Sequence, residues 1–321
     1  MFDDNNNDWT IATGVSIMTP GTGYAVTSSS SSTFPGPDYI TFEGTFNTGT
    51  ITTPIIYTGD VSSADHPNLL GNPYASAINY NDFYNANSSI IEGVTYFWSQ
   101  ATPINANGKF SQNDYATYSV GMNAGVAGAS GVIPNEFVPS GQGFFITAKA
   151  NGTASFSNSM RAKGTTDNSQ FFKTSTSKNN SNSSNSNKLW VNLSSDNGVF
   201  SQILVGYVDG ATSDNGGLLF DAPKLESGEA AILYSTIINS SKRFVIQGKD
   251  VNSLTSDEMI PLGFKTTISE ATMFTISIAQ LKGDFLNGNA IYLKDKLLNT
   301  INDLSANDYT FTSEVGTFND R

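Results

Sequence analysis

At 321 residues the chain can fill two ordinary domains or one large β-fold. Only 14% of it is charged against 12% aromatic, with Ser, Thr, Asn and Gly at the polar positions, a balance common in secreted β-proteins and unlike cytosolic helical enzymes. The net charge of −12 repels a phosphate backbone and argues against nucleic acid as a partner, and without cysteine there is neither a disulfide nor a thiolate metal site.

The same acidic surface disfavours anionic lipid. No apolar run approaches the roughly 18 residues of a spanning helix, so the chain is not expected to be membrane-embedded. The opening Met1-Phe2-Asp3-Asp4-Asn5 has neither the basic start nor the apolar core of a signal peptide, and the chain is read as a piece of an exported precursor. Asp4-Asn5-Asn6-Asn7-Asp8 has the oxygen spacing that begins a calcium loop. Trp9 and Val15 stand where such a loop needs Gly and Glu, so an Asx-rich hairpin turn explains the run better.

Short segments rich in Thr, Val, Ile, Phe and Tyr, bounded by Gly, Pro or Asn, predict strands over Thr10–Ile17, Gly23–Ser28, Tyr39–Phe46, Ile51–Tyr57, Val94–Gln100, Ala116–Val120, Gly143–Ala148 and Gly152–Asn158. Two stretches, Pro20-Gly21-Thr22-Gly23-Tyr24 and Pro139-Ser140-Gly141-Gln142-Gly143-Phe144, repeat one device, a Pro/Gly turn opening a strand. A helix is predicted over Tyr80–Ala86 with Asn79 as its N-cap, and a weaker one near Ser130. From Thr174 to Asn187 there is no apolar residue to offset the entropy of ordering, so 165–187 reads as a Ser/Thr/Asn-rich linker. The domains are then 1–164 and 188–321.

Beyond the linker, strands are predicted over Lys188–Ser194, Phe200–Tyr207, Ala231–Tyr234, Arg243–Gly248, Met259–Lys265, Met273–Ile278, Ala290–Asp295, Leu298–Asp303 and Tyr309–Thr312. No βαβ alternation appears. The expected fold is all-β: two antiparallel β-sandwich domains of jelly-roll-like form.

Candidate chemistry is sparse. His66 is the single histidine and no Gly-x-Ser-x-Gly elbow accompanies it, so it reads as an incidental loop residue. With 28 Asp and Glu, close carboxylate pairs are inevitable and uninformative; Asp257 and Glu258 are adjacent and point to opposite faces of a strand. A hydrolase of β-sandwich type is a reading left open, and a non-enzyme is expected. Asp209 and Asp214, in a Gly/Asn-rich loop, are the better calcium candidates, and no other cofactor is expected. Trp9, Tyr96 and Trp98 are candidate platforms for stacking on sugar rings, while Trp190 reads as core.

One set of blocks is more specific together than singly: Asn68-Leu69-Leu70-Gly71-Asn72-Pro73-Tyr74, Tyr96-Phe97-Trp98, Asn113-Asp114-Tyr115, Pro139-Ser140-Gly141-Gln142-Gly143-Phe144-Phe145, Ser157-Asn158-Ser159-Met160-Arg161, Lys188-Leu189-Trp190-Val191-Asn192-Leu193, Pro261-Leu262-Gly263-Phe264 and Tyr309-Thr310-Phe311-Thr312. In this order they resemble the region preceding the C-terminal sorting domain in type IX-secreted cell-surface proteins of Bacteroidetes, Flavobacterium-type bacteria above all, which include adhesins. The resemblance implies export to the bacterial cell surface, β-sandwich modules and no catalytic residues. Set against that family's pattern, both ends read as cut inside a domain, either because the chain is a trimmed piece of a longer protein or because it is a processed subunit with a groove that a neighbour's strand fills. The expected contact strands carry Phe2, Trp9, Tyr309, Phe311 and Phe318. The expected function is a non-enzymatic surface protein, an adhesin or filament-forming subunit, whose partners are copies of itself or another surface protein. The alternative is a glycan-binding accessory module of a polysaccharide-acting protein.

Overall fold

The computed structural model describes residues 2–6, 8–11, 17–26, 36, 41, 43–58, 67–104, 110–164, 167–168, 186–214, 216–226, 228–238, 240–319 and 321. Among the described residues the protein is mostly β, with 42% strand and 8% helix. It divides into two compact units, residues 1–101 with 136–177 and residues 102–135 with 178–321. Residues 102–135, placed by the sequence division in the N-terminal domain, therefore group with the C-terminal part. Most of the expected linker, and His66, lie outside the described residues.

The first unit is carried by β1 (Ile51–Ile55), β2 (Pro67–Gly71), β3 (Ile91–Trp98), β4 (Gly143–Ala148), β5 (Gly152–Phe156) and the helix Tyr80–Asn87. β4 lies between β2 and β3, antiparallel to both, and β5 pairs antiparallel with β1. The helix starts where Asn79 caps it, accepting from the backbone N–H groups of Asn81 and Asp82 at 2.8 and 3.2 Å. Tyr80, Phe83 and Asn87 fall on one buried face at helical spacing. Phe83 stacks on Phe156 at 4.6 Å and meets Phe144 edge-on at 5.8 Å, so helix, β5 and β4 share one aromatic core.

Both Pro/Gly stretches meet on β2. β4 pairs with it through Phe144↔Leu70, and Thr22 bridges to the same Leu70. Gly23 donates to the Leu69 carbonyl at 2.9 Å, and Gly71 to that of Gly21 at 3.0 Å. A Cβ on Gly23 would lie 2.3 Å from Leu69 Cγ, so this approach requires glycine. The first stretch stops at that bridge. Residues 23–26 form no strand, nor do the described residues within Thr10–Ile17 and Tyr39–Phe46, and no helix forms near Ser130.

Buried side-chain amides tie β2 into place. Asn68 pairs with the backbone of Ile56 like a strand residue, accepting from its N–H at 2.8 Å and donating to its carbonyl at 2.9 Å. Asn72 Nδ2 lies within hydrogen-bond distance of the carbonyls of Ser76, Val138 and Pro139, while its Oδ1 accepts from Tyr74 N. Arg161 then covers the Tyr74 ring at 5.4 Å and donates through Nε to Ser76 Oγ. The segments Asn68–Ser76 and Asn158–Arg161 are thus in direct contact.

The second unit contains β6 (Asn187–Ser194), β7 (Phe200–Val208), β8 (Ala231–Thr236), β9 (Arg243–Asp250), β10 (Leu262–Thr266), β11 (Thr272–Lys282), β12 (Tyr292–Asp295), β13 (Thr300–Asp303), β14 (Tyr309–Ser313) and β15 (Gly316–Phe318). One large sheet runs in the order β14-β11-β6-β7-β9-β8-β10-β15. It is mixed, because β7 and β9 are parallel, and its two ends converge: Phe311 on β14 packs against Phe264 on β10 at 5.2 Å. A purely antiparallel two-sheet sandwich is therefore corrected, for this unit, to a nearly closed barrel-like sheet. Its interior holds Leu193, Ile203, Leu233, Phe264, Phe274 and Phe311. β7 is buried on both faces, as parallel strands usually are. The segment 110–135 covers its outer side: Ala127 N donates to Gln202 Oε1, Gly125 O accepts from Trp190 Nε1 at 2.8 Å, and Met122 fills the space a Cβ on Gly206 would need.

A candidate interaction surface

The residues singled out in the sequence go to four places. In the first unit, the hairpin Phe2–Asp3/Asp8–Trp9 forms around an Asx turn, with Asp3 Oδ1 accepting from Asn5 N at 3.1 Å and Asn6 N at 3.3 Å. Phe2 is buried. It touches Phe145 at 5.1 Å and Trp9 at 5.2 Å, both edge-on, and Trp9 is 48% exposed. Asp4 accepts from Leu69 N at 3.1 Å; burial first, then the neighbouring Asp3 charge, raise its carboxyl to about 6 against the lowering effect of that bond. Tyr96 lies opposite Phe145 in the sheet and is buried, so it offers no ring face to a sugar; Trp98, at the end of β3, is half-buried.

In the second unit, Asp209 and Asp214 are exposed. The carboxylate that organises their loop is Asp221, which sequence reasoning missed. Its Oδ2 accepts from Gly216 N and its Oδ1 from Gly248 N, each at 2.8 Å. Burial lifts it to about 6, moderated by these two bonds. Among the described residues, no three His, Cys, Asp or Glu side chains are grouped to share a metal ion.

Tyr309, Phe311 and Phe318 face the barrel interior or its rim. Phe311 packs on Phe264 and Phe274, and Phe318 stacks on Phe264. The Arg321 guanidinium lies over Phe311 at 4.3 Å and Phe318 at 5.6 Å. It also pairs with buried Asp295, through Nε at 3.0 Å and Nη2 at 2.9 Å. Asp295 further accepts from Tyr309 Oη at 2.9 Å and Leu298 N at 3.0 Å. Burial raises the Asp295 carboxyl, but the bonds from Arg321, Leu298 and Tyr309 outweigh it, and the net result lies below the ordinary carboxylate value.

That anchor fixes which way the β12–β13 hairpin faces. Side chains alternate across a strand, so with Leu293 and Asp295 turned to the barrel, Tyr292 and Lys294 point outward. The register pairs Tyr292 with Asp303 and Lys294 with Ile301, placing all four on the outer face. Tyr292 is 64% exposed and Ile301 69%; Leu297 and Leu298 follow at the turn, which closes through Asn299 at φ 50°. A run of exposed large apolar groups on an anchored hairpin has the character of an interaction surface.

No curated protein and no solved structure matches this chain. The model of a domain of unknown function (DUF8693) matches residues 2–321, and the chain belongs to that family.

Proposed function

We propose that this protein is an extracellular, non-enzymatic surface scaffold, an adhesin or filament-forming subunit of the type IX-secreted kind, that works through contact surfaces and not through a reaction centre. The jelly-roll reading is kept for the first unit. The observation that carries the functional reading is the outward face of the β12–β13 hairpin, where Tyr292, Leu297, Leu298 and Ile301 are held in solvent by the inward anchor at Asp295. Exposing such groups costs solubility and serves a protein that meets another surface. Sedimentation velocity across a wide concentration range, with electron microscopy of the concentrated sample, tests it. Self-association, or retention on a second surface protein that is lost with Ile301→Asp, is expected. Turnover of a polysaccharide abolished by a single carboxylate change would overturn it.

A second reading has one observation of its own. Trp9 is half-exposed while the edges and faces of Phe2 and Phe145 hold it, so a sugar ring would meet a preordered indole with Asp8 beside it in the hairpin. Affinity electrophoresis in polysaccharide gels, comparing the parent with Trp9→Ala, distinguishes the two. Retardation lost in the variant supports glycan binding, and equal mobility in every gel removes it.

A further inference from the structure

The outer face of the β12–β13 hairpin is arranged as a quadrilateral with two unlike diagonals. Tyr292 and Ile301 occupy one diagonal and are apolar; Lys294 and Asp303 occupy the other and carry opposite charge. Consider a two-fold axis lying in the contact plane along the apolar diagonal. It returns Tyr292 onto Tyr292 and Ile301 onto Ile301, and it exchanges the ends of the charged diagonal. Lys294 of each copy then lies over Asp303 of the other, and the hairpins cross at a steep angle, as orthogonally packed sheets do. Rotations about axes along or across the strands place Lys294 over Ile301 or over Tyr292 instead, and bury the charges unpaired at a cost. The pattern is self-complementary in one orientation.

We infer that a second copy of this chain docks on the β12–β13 face in that isologous orientation, with Tyr292 and Ile301 at its centre and two reciprocal Lys294–Asp303 pairs beside them. The inference deepens the proposed function and rests on its self-association arm. Asp303 Oδ1 already accepts from Ser305 N at 2.9 Å, which steadies the carboxylate and leaves Oδ2 for the lysine. Charge reciprocity lets two copies of an acidic molecule approach locally despite the net charge of −12. One four-residue face with two turn leucines is smaller than the roughly 800 Å2 per partner of a standard interface, so the contact is weak and reversible, with a dissociation constant on the order of 100 µM.

The test is sedimentation velocity on the full chain, for the parent, Lys294→Asp, Asp303→Lys and an equimolar mixture of the two variants. Each variant alone places like charges across the axis, and about a tenfold weakening is expected. In the mixture both cross-copy pairs are opposite in charge again, so association returns to near the parent level, which an effect confined to one hairpin would not produce. Unchanged melting temperatures show that the exposed substitutions leave the fold intact. If the parent associates but the variants do so equally, or the mixture stays as weak as they are, this interface is overturned while self-association stands. If the parent stays monomeric throughout, both the interface and the self-association arm fall. Binding of the monomeric parent to phosphatidylglycerol vesicles, lost with Ile301→Asp, would assign the face to lipid and overturn the inference.

Discussion

The two units solve the same problem, fixing irregular backbone around a β-core, with different chemistry. The first uses neutral amides: Asn68 and Asn72 beside β2, and Asn87, which donates to the carbonyls of Phe83 and Ser155 and accepts from Ser155 N. The second uses ions: Asp295 with Arg321, Asp221 under its loop, and Lys188, which burial and the nearby Lys282 charge lower to about 8. Amides satisfy buried backbone groups without titrating, whereas buried ions make stability depend on pH. The ionic unit is therefore expected to be the acid-sensitive one, and the amide unit to respond mainly through Asp4.

The most damaging way to break this contrast is Asp295→Ala, which leaves the buried Arg321 guanidinium without its counter-ion. A loss of about 3–5 kcal/mol is expected, confined to the second unit and measured by urea unfolding with hydrogen exchange resolving the two units. In the parent, the contribution of Asp295 is fully present above its unfolded value near 4. It is lost as pH falls through the lower folded value, so the second unit should unfold first in acid. Unfolding of the first unit at higher pH would refute the contrast.

Asn72→Ala is the corresponding blow to the first unit. It removes the donor shared by three carbonyls and the acceptor for Tyr74 N, and about 2–3 kcal/mol should be lost, with no change in its pH profile. A smaller effect is expected at Asp221, whose folded value is raised to about 6. Because the native state holds that proton more tightly than the unfolded chain, stability falls as pH rises from about 4 to 6. Asp221→Asn should abolish that slope, worth on the order of 2 kcal/mol, in unfolding curves taken on either side of the window. The smallest expected change is Trp9→Ala, about 1 kcal/mol from lost edge-on ring contacts, read as altered tryptophan emission on mild denaturation.

Legibility in the sequence followed how local the cause was. The helix was readable from Asn79 and the residues after it, and β4 and β11 from their β-branched and aromatic runs. β2 was not. Pro67-Asn68-Leu69-Leu70-Gly71 looks like a Pro-bounded turn, yet Asn68, Leu69 and Leu70 are all buried, so no alternation marks it as a strand. Gly23–Ser28 carried strand residues, but the close backbone approach at Gly23 allowed a bridge in place of a ladder. The parallel β7–β9 pair had no crossover-helix signal to announce it. On the hairpin surface, composition misleads outright: in Tyr292-Leu293-Lys294-Asp295 a carboxylate turns inward and a tyrosine outward, because Arg321, 26 positions away, supplies the charge that makes Asp295 acceptable inside. The Trp9 hairpin was visible through its Asx run, while the depth of Tyr96 depends on Phe145 from a distant strand.

The assignment of residues 102–135 to the second unit bears on the order in which a new chain can fold. Synthesis delivers β1, β2 and β3, then the 110–135 cover, before β4 arrives to complete the first sheet. The cover must wait longer, since Gly125, Ala127 and Met122 meet Trp190, Gln202 and Gly206 only once β6 and β7 have been made. Long sequence separation slows such closure and lengthens exposure of unpaired strands. A cut at the Ser/Asn tract would therefore release a piece carrying a stranded lid and a barrel missing one, and expression of either half alone should yield aggregation-prone material.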